Sequence, residues 1–166
     1  MSVENPTVYV VDDDPEVRES LSLMIQSMGL NVEAYPSAEA FLDGYHNLPD
    51  SPECLVLDVL MPGLSGLGLQ QMLAAEGRGI PIIMISGCAD IPMAVKAMSA
   101  GAVDFLEKPV SCQMLSARIR EAIDHYVRQH REAGRKTDLT RHVERLSSRQ
   151  REVLDLLVVG ERSKQI

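Results

Sequence analysis

VYVVDDDP, residues 8–15, runs four apolar residues straight into three aspartates and a proline, and its reading decides the fold. Three later stretches repeat its form. Leu55-Val56-Leu57 runs into Asp58, Ile82-Ile83-Met84-Ile85 into Ser86, and Val103-Asp104-Phe105-Leu106 into Glu107, Lys108 and Pro109. Short apolar runs separated by helix-like segments read as strands of a parallel sheet buried on both faces. The ligands of such sheets bind outside the carboxyl ends of the strands. One crevice then collects the carboxylates of Asp12, Asp13 and Asp58, the hydroxyl of Ser86 and the ammonium of Lys108. Those are the groups that phosphoryl transfer to a carboxylate needs.

The segments between these runs read as helices. Asp14-Pro15-Glu16 offers an N-cap, a proline at the first helical position and an acid in the first turn. Val17, Leu21, Met24, Ile25 and Met28 follow at helical spacing, and Gly29 is a natural stop. Val32–Tyr35 is a short second strand, and Pro36-Ser37 opens a second helix bearing Phe41 and Leu42. A loop from Asn47 to Glu53 leads to the third strand. Met61-Pro62-Gly63-Leu64-Ser65-Gly66 opens a third helix with Leu67, Leu69, Met72 and Leu73, its glycines freeing the loop beside Asp58. A fourth helix spans about Asp90–Ala100 and stops at Gly101. The alternation is (βα) repeated five times, a flavodoxin-like α/β fold with expected strand order 2-1-3-4-5, which sets strands one and three side by side at the switch point.

From Ser111 a fifth helix carries Leu115, Ile119, Ala122, Ile123, Tyr126 and Val127 on one stripe. Its solvent face is supported by Asp124 with Arg128 and Arg128 with Glu132 at four-residue spacing. Gly134-Arg135-Lys136-Thr137 interrupts or kinks it, and a last helix-like stretch runs from Ser147 through Val153, Leu154, Leu157 and Val158 to Gly160. The expected organisation is one compact domain over 1–125, a helical linker over 126–145 and a partial all-α segment over 146–166.

Bulk properties agree with two modules. The chain has 166 residues, 45% apolar and 24% charged, ordinary values for a soluble globular protein. Its net charge of −8 hides a split: residues 1–110 carry 4 Lys+Arg against 16 Asp+Glu (−12), and residues 111–166 carry 12 against 8 (+4). An acidic front and a basic back suggest different partners. Cys54, Cys88 and Cys112 are odd in number and lack a CxxC pair, which argues against a disulfide framework or a zinc site and fits a reducing cytosol. His46, His125, His130 and His142 share no ligand spacing. No basic leader precedes the first strand and no apolar stretch nears the ~20 residues of a membrane span, so the expected location is cytoplasmic, away from membranes.

Packing Asp12, Asp13 and Asp58 together is electrostatically poor. Two like charges ~4 Å apart repel by about 4 kcal/mol at an effective dielectric near 20. Either one carboxylate keeps its proton or a cation sits among them. A hard divalent ion, Mg²⁺ by preference, offsets the repulsion and holds a phosphoryl oxygen while Asp58 attacks phosphorus in line. Lys108 supplies further positive charge and Ser86 a hydroxyl donor. Asp14 is left to cap a helix.

At these residues the chain resembles the receiver domains of two-component response regulators. The matching pieces are VYVVDDDP (8–15), LVLDVLMPGLSG (55–66), IIMISG (82–87) and AVDFLEKP (102–109), within roughly residues 6–125. The resemblance implies that Asp58 is the phospho-acceptor, Asp12 and Asp13 the acid pocket, and the backbone carbonyl of Leu60 a further metal ligand. It implies that Ser86 is the switch hydroxyl, Phe105 the switch aromatic, and Lys108 the phosphate-pairing lysine before a cis Pro109. It also implies a sensor histidine kinase as donor and a homodimer formed through helix four, strand five and helix five on phosphorylation. IPMAVKAMSAGAVDFLEKP (91–109) is similar to the FixJ/LuxR-type branch. RLSSRQREVLDLLVVGERSKQI (145–166) resembles the opening of a LuxR-type helix-turn-helix, whose recognition helix lies beyond it. DNA is then the partner of the full-length protein and a switch, not an enzyme, its character. Three departures from the pattern stand out: Leu60 where a polar residue is usual, Cys88-Ala89 for His-Gly, and Val110 for Phe.

Other readings fit less well. Haloacid-dehalogenase-type phosphatases share the Asp12/Asp14 spacing, but Pro15-Glu16 departs from their motif and no acidic pair follows Lys108. Gly63-Leu64-Ser65-Gly66-Leu67-Gly68 is GxxGxG, not the dinucleotide GxGxxG. A stand-alone receiver acting by protein contacts is the serious alternative.

Overall fold

The computed structural model describes residues 4–47, 51–88, 90–145 and 147–163. Part of the loop expected at Asn47–Glu53, Ala89, and both ends of the 146–166 segment lie outside them, as do the side chains of Leu154 and Val158. The chain divides into two compact units, Met1–Val127 and Arg128–Ile166.

In the first unit the strands are β1 (Thr7–Val11), β2 (Asn31–Tyr35), β3 (Glu53–Asp58), β4 (Ile82–Ser86) and β5 (Asp104–Glu107). All pair in parallel in the order β2-β1-β3-β4-β5, as the alternation predicts. Because strand side chains alternate between faces, each run feeds two apolar layers. Val8, Val10, Cys54, Val56, Ile83 and Ile85 lie in one layer with α1 (Pro15–Ser27) and the start of α5 (Cys112–Glu144), which contributes Leu115, Ile119 and Ala122. Tyr9, Val11, Leu55, Leu57, Val59 and Met84 lie in the other, with α2 (Ala38–Gly44), α3 (Gly66–Ala75) and α4 (Ile91–Ser99). Burial on both faces is why β1, β3 and β4 read as continuous apolar runs.

The helix starts follow their caps. The Asp14 carboxylate accepts from the Glu16 N–H at 2.9 Å, Ser37 from Ala40 at 3.0 Å, and Ser65 from Gly68 at 3.1 Å. Gly29 sits at φ +77°, ending α1 as expected. The Lys108–Pro109 bond is cis. On α3, buried Gln70 donates its side-chain amide to the Ala97 carbonyl of α4 at 3.0 Å.

One expectation is corrected: Gly134 does not interrupt α5, which continues to Glu144. A single helical glycine costs only about 1 kcal/mol, and the residues after it propagate helix. Thr137 and Thr140 donate their hydroxyls to the Ala133 and Lys136 carbonyls within this helix. In the second unit, α6 (Ser148–Ser163) passes Gly160 by three residues for the same reason. Its start is a capping box: Ser147 Oγ accepts from the Gln150 N–H, and Gln150 Oε1 from the Ser147 N–H. No helix among the described residues is long and apolar enough to cross a membrane.

Candidate functional site: an acidic crevice at the strand ends

Register brings the site together. Val11 pairs with Leu57, so Asp12 and Asp58 emerge side by side where the chain leaves β1 toward one edge of the sheet and β3 toward the other. Ser86 pairs with Glu107, which delivers Lys108 to the same edge. Oxygens of Asp12, Asp13 and Asp58 lie within 4.8 Å of one another; Asp12 and Asp58 are buried and Asp13 is exposed. Lys108 Nζ stands 2.7 Å from Asp12 Oδ2 and 3.3 Å from Asp58 Oδ2. The sequence-derived acids and lysine therefore meet at one point.

Asp12 and Asp58 each accept a backbone N–H. Asp12 Oδ1 accepts from the Asp14 N–H at 2.9 Å, and Arg18 on α1 donates to the Asp12 carbonyl at 2.7 Å. Asp58 Oδ1 receives only a long bond, 3.4 Å, from the Leu60 N–H. Burial, and then the charge of Asp12, push the Asp58 carboxyl up to about 6, against the opposing pull of Lys108. Lys108 loses hydration, which opposes its charge, yet the carboxylates of Asp12 and Asp58 outweigh this and hold the ammonium above its ordinary range. One ammonium does not balance three carboxylates. The donor set, all hard oxygens around a buried carboxyl short of positive charge, fits a hard divalent cation.

The other predicted residues lie close in sequence to this centre but are not all turned to it. Ser86 is buried, and its hydroxyl is engaged by Cys88, donating to the Cys88 carbonyl at 3.1 Å and accepting from the Cys88 N–H at 3.2 Å. Phe105 is half-buried against the layer on the α4 side. Leu60 leaves its side chain 49% exposed, and Cys88 is exposed as well.

Sequence reasoning missed two supports of the crevice. Arg18 is one; its signal was only an arginine one turn into α1. Gly66 is the other. A Cβ there would collide with the Asp58 carbonyl oxygen and lie 2.9 Å from Val59 Cα, so α3 can begin against the Asp58 backbone only with glycine at that point. Its use is close approach, not the loop freedom expected of it. Gly63, at φ +77°, does need that freedom.

A family model described as the response regulator receiver domain matches residues 8–120. The chain is 44% identical over 165 residues to the response regulator protein TodT of Pseudomonas putida, covering 99% of this chain and 72% of that protein. It is 41% identical over 163 residues to the transcriptional regulatory protein FixJ of Azorhizobium caulinodans, covering 98% and 76%. Among solved structures, the response regulator StyR superposes with a TM-score of 0.83 at 41% identity, covering 94% of this chain and 78% of that one. The structure titled FixJ-N does so at 0.65 and 43%, covering 74% and 96%. With an acidic crevice at the switch point of a five-stranded parallel sheet and these likenesses over nearly its whole length, the chain belongs to the two-component response regulators and carries their receiver domain.

Proposed function

We infer that Asp58 accepts a phosphoryl group from a sensor histidine kinase in the cytoplasm, and that the modified protein controls transcription through a C-terminal DNA-binding domain. The observation that carries this reading is the Asp58 carboxylate, buried and weakly bonded, held against Asp12, Asp13 and Lys108. In the transfer, an Asp58 oxygen forms the new O–P bond while the N–P bond of a phosphohistidine breaks and its electron pair returns to the imidazole. Asp12, Asp13, Asp58 and the Leu60 carbonyl are the residues that would hold Mg²⁺, which supplies charge neutralisation of the phosphoryl oxygens. Lys108 leaves its pairing with Asp12 and Asp58 to meet a phosphoryl oxygen. An open groove of about 470 Å³ beside it, lined by Val17, Leu21, Met24 and Val110 among others, suits an apolar helix face of the donor.

The response begins at Ser86. Drawing its hydroxyl toward the phosphoryl group gives up two bonds to Cys88, and Phe105 follows into the space released. Ile91, Val95 and Met98, one turn apart and exposed on α4, together with Met114 on α5, support homodimerisation through the α4–β5–α5 face. The 146–166 segment is proposed as the opening of the helix-turn-helix, in line with relatives named as transcriptional regulators.

Incubated with Mg²⁺ and a small phosphodonor, the protein should gain one phosphoryl group by intact mass, and peptide mapping should locate it on the Asp58 peptide. A chelator should prevent the gain. Addition elsewhere, or none, overturns the reading. Apolar Leu60 and small Cys88 flank the path of a water attacking that phosphoryl group, so its loss should be slow. Leu60→Arg and Cys88→His should each speed dephosphorylation severalfold by supplying a polar path; decay no faster than the parent's counts against this role.

A further inference from the structure

Glu39 stands on α2, outside the strand ends that assemble the acidic crevice, yet its side chain reaches the loop that leaves Asp58. Glu39 Oε1 accepts from the Leu64 N–H at 2.8 Å, across 25 residues of sequence. Gly63, the neighbour of Leu64, carries φ +77°, and a Cβ there would fall 2.7 Å from that same oxygen. Glycine at 63 is therefore what lets the carboxylate come in. The bond is not a by-product of helix capping, because Ser37 already caps α2 through the Ala40 N–H. The Leu64 N–H holds the Glu39 carboxyl below its ordinary range, consistent with a bond made to the charged form.

The loop so grasped is also tied near its two ends. Val59 N–H donates to the Ile85 carbonyl and Gly66 N–H to the Val59 carbonyl. Between them lie Leu60, whose carbonyl is the metal ligand of the proposed function, and Met61-Pro62-Gly63-Leu64. Resting on that reading, we propose that Glu39 is a positioning residue for the phospho-accepting loop: its bond to Leu64 fixes the middle of the loop so that the Leu60 carbonyl faces the carboxylates of Asp12, Asp13 and Asp58. A fixed carbonyl binds a cation without first being ordered, which is how supporting residues outside the ligand set raise metal affinity.

The test compares Glu39→Met, which keeps the side chain's length but removes the acceptor, with Glu39→Gln, which keeps an acceptor without the charge. Mg²⁺ affinity is measured by calorimetry on the whole chain, and exchange of the Leu64 amide by NMR. Glu39→Met should bind Mg²⁺ about tenfold more weakly, exchange the Leu64 amide faster, and take up phosphoryl groups more slowly at subsaturating Mg²⁺. Glu39→Gln should lie within roughly twofold of the parent, a neutral bond being weaker than a charged one. A Glu39→Met protein that binds Mg²⁺ as the parent does overturns the inference even if its melting temperature falls. Glu39→Gln as weak as Glu39→Met also overturns it, because charge and not the bond would then be responsible. A parent that binds no Mg²⁺ at all fails the metal-site reading, and this inference falls with it.

Discussion

Asp58→Asn will take up no phosphoryl group, and in metal-free buffer above pH 6 it will be more stable than the parent. The first effect is complete, because a carboxamide is not a nucleophile toward phosphorus. The second follows from the crevice. Burial first, and the Asp12 charge second, raise the Asp58 carboxyl from 3.8 in the ordinary state to about 6 in the folded protein. Below 3.8 both folded and unfolded chains hold the proton, and the site costs nothing. Between 3.8 and 6 the unfolded chain loses its proton first, so stability falls as pH rises; above 6 the cost is constant. A shift of this size corresponds to about 3 kcal/mol as an upper figure. Asparagine has no charge to bury and removes that cost. Mg²⁺ should reverse the order, since a ligand that binds only the folded state stabilises it in proportion to the logarithm of its concentration over Kd. Chemical denaturation at pH 5 and pH 8, with and without Mg²⁺, checks all of this. A variant less stable than the parent at pH 8 without metal would show that Lys108 stabilises the Asp58 carboxylate more than burial and Asp12 oppose it.

Gly66→Ala will lower stability by about 3 kcal/mol and slow phosphoryl uptake by a factor on the order of a hundred. The added methyl meets the Asp58 carbonyl oxygen and Val59 Cα, both backbone atoms that no rotamer change can clear. Either the first turn of α3 must back away or the end of β3 must bend. Both displace Asp58 from Asp12 and Lys108, an arrangement that a small shift suffices to spoil. Gly79→Ala is the control: nothing lies within 4 Å of its Cβ, so it should be close to neutral in both measurements. Urea denaturation and intact-mass time courses give the two readouts. If Gly66→Ala behaves as Gly79→Ala does, α3 is free to shift and the close approach is unimportant.

Much of this was legible along the chain. Buried strands announce themselves because residues covered on both faces must nearly all be apolar, and Asp12, Asp58 and Ser86 each follow such a run directly. Asp14-Pro15-Glu16 was readable as a helix start because capping is a bond between residues two or three apart. Gly134 does not interrupt α5 because the glycine's cost, about 1 kcal/mol, is small beside the propagation of the turns on either side. The Ser147–Gln150 capping box is as local as the Asp14 cap, and its S-x-x-Q spacing is legible in the sequence.

What the order of residues settled is what depends on neighbours in sequence or on periodicity: five βα units, the face each strand residue takes, and the polar group at each strand end. What only the folded chain decided depends on distance through space. The rise of the Asp58 carboxyl, the contact of Gly66 with the Asp58 backbone, and the reach of Glu39 across 25 residues to Leu64 all arise where separate elements are brought within about 3 Å. At that range burial strips away water and leaves bonds and charges to act at full strength, and no pattern along the chain records it.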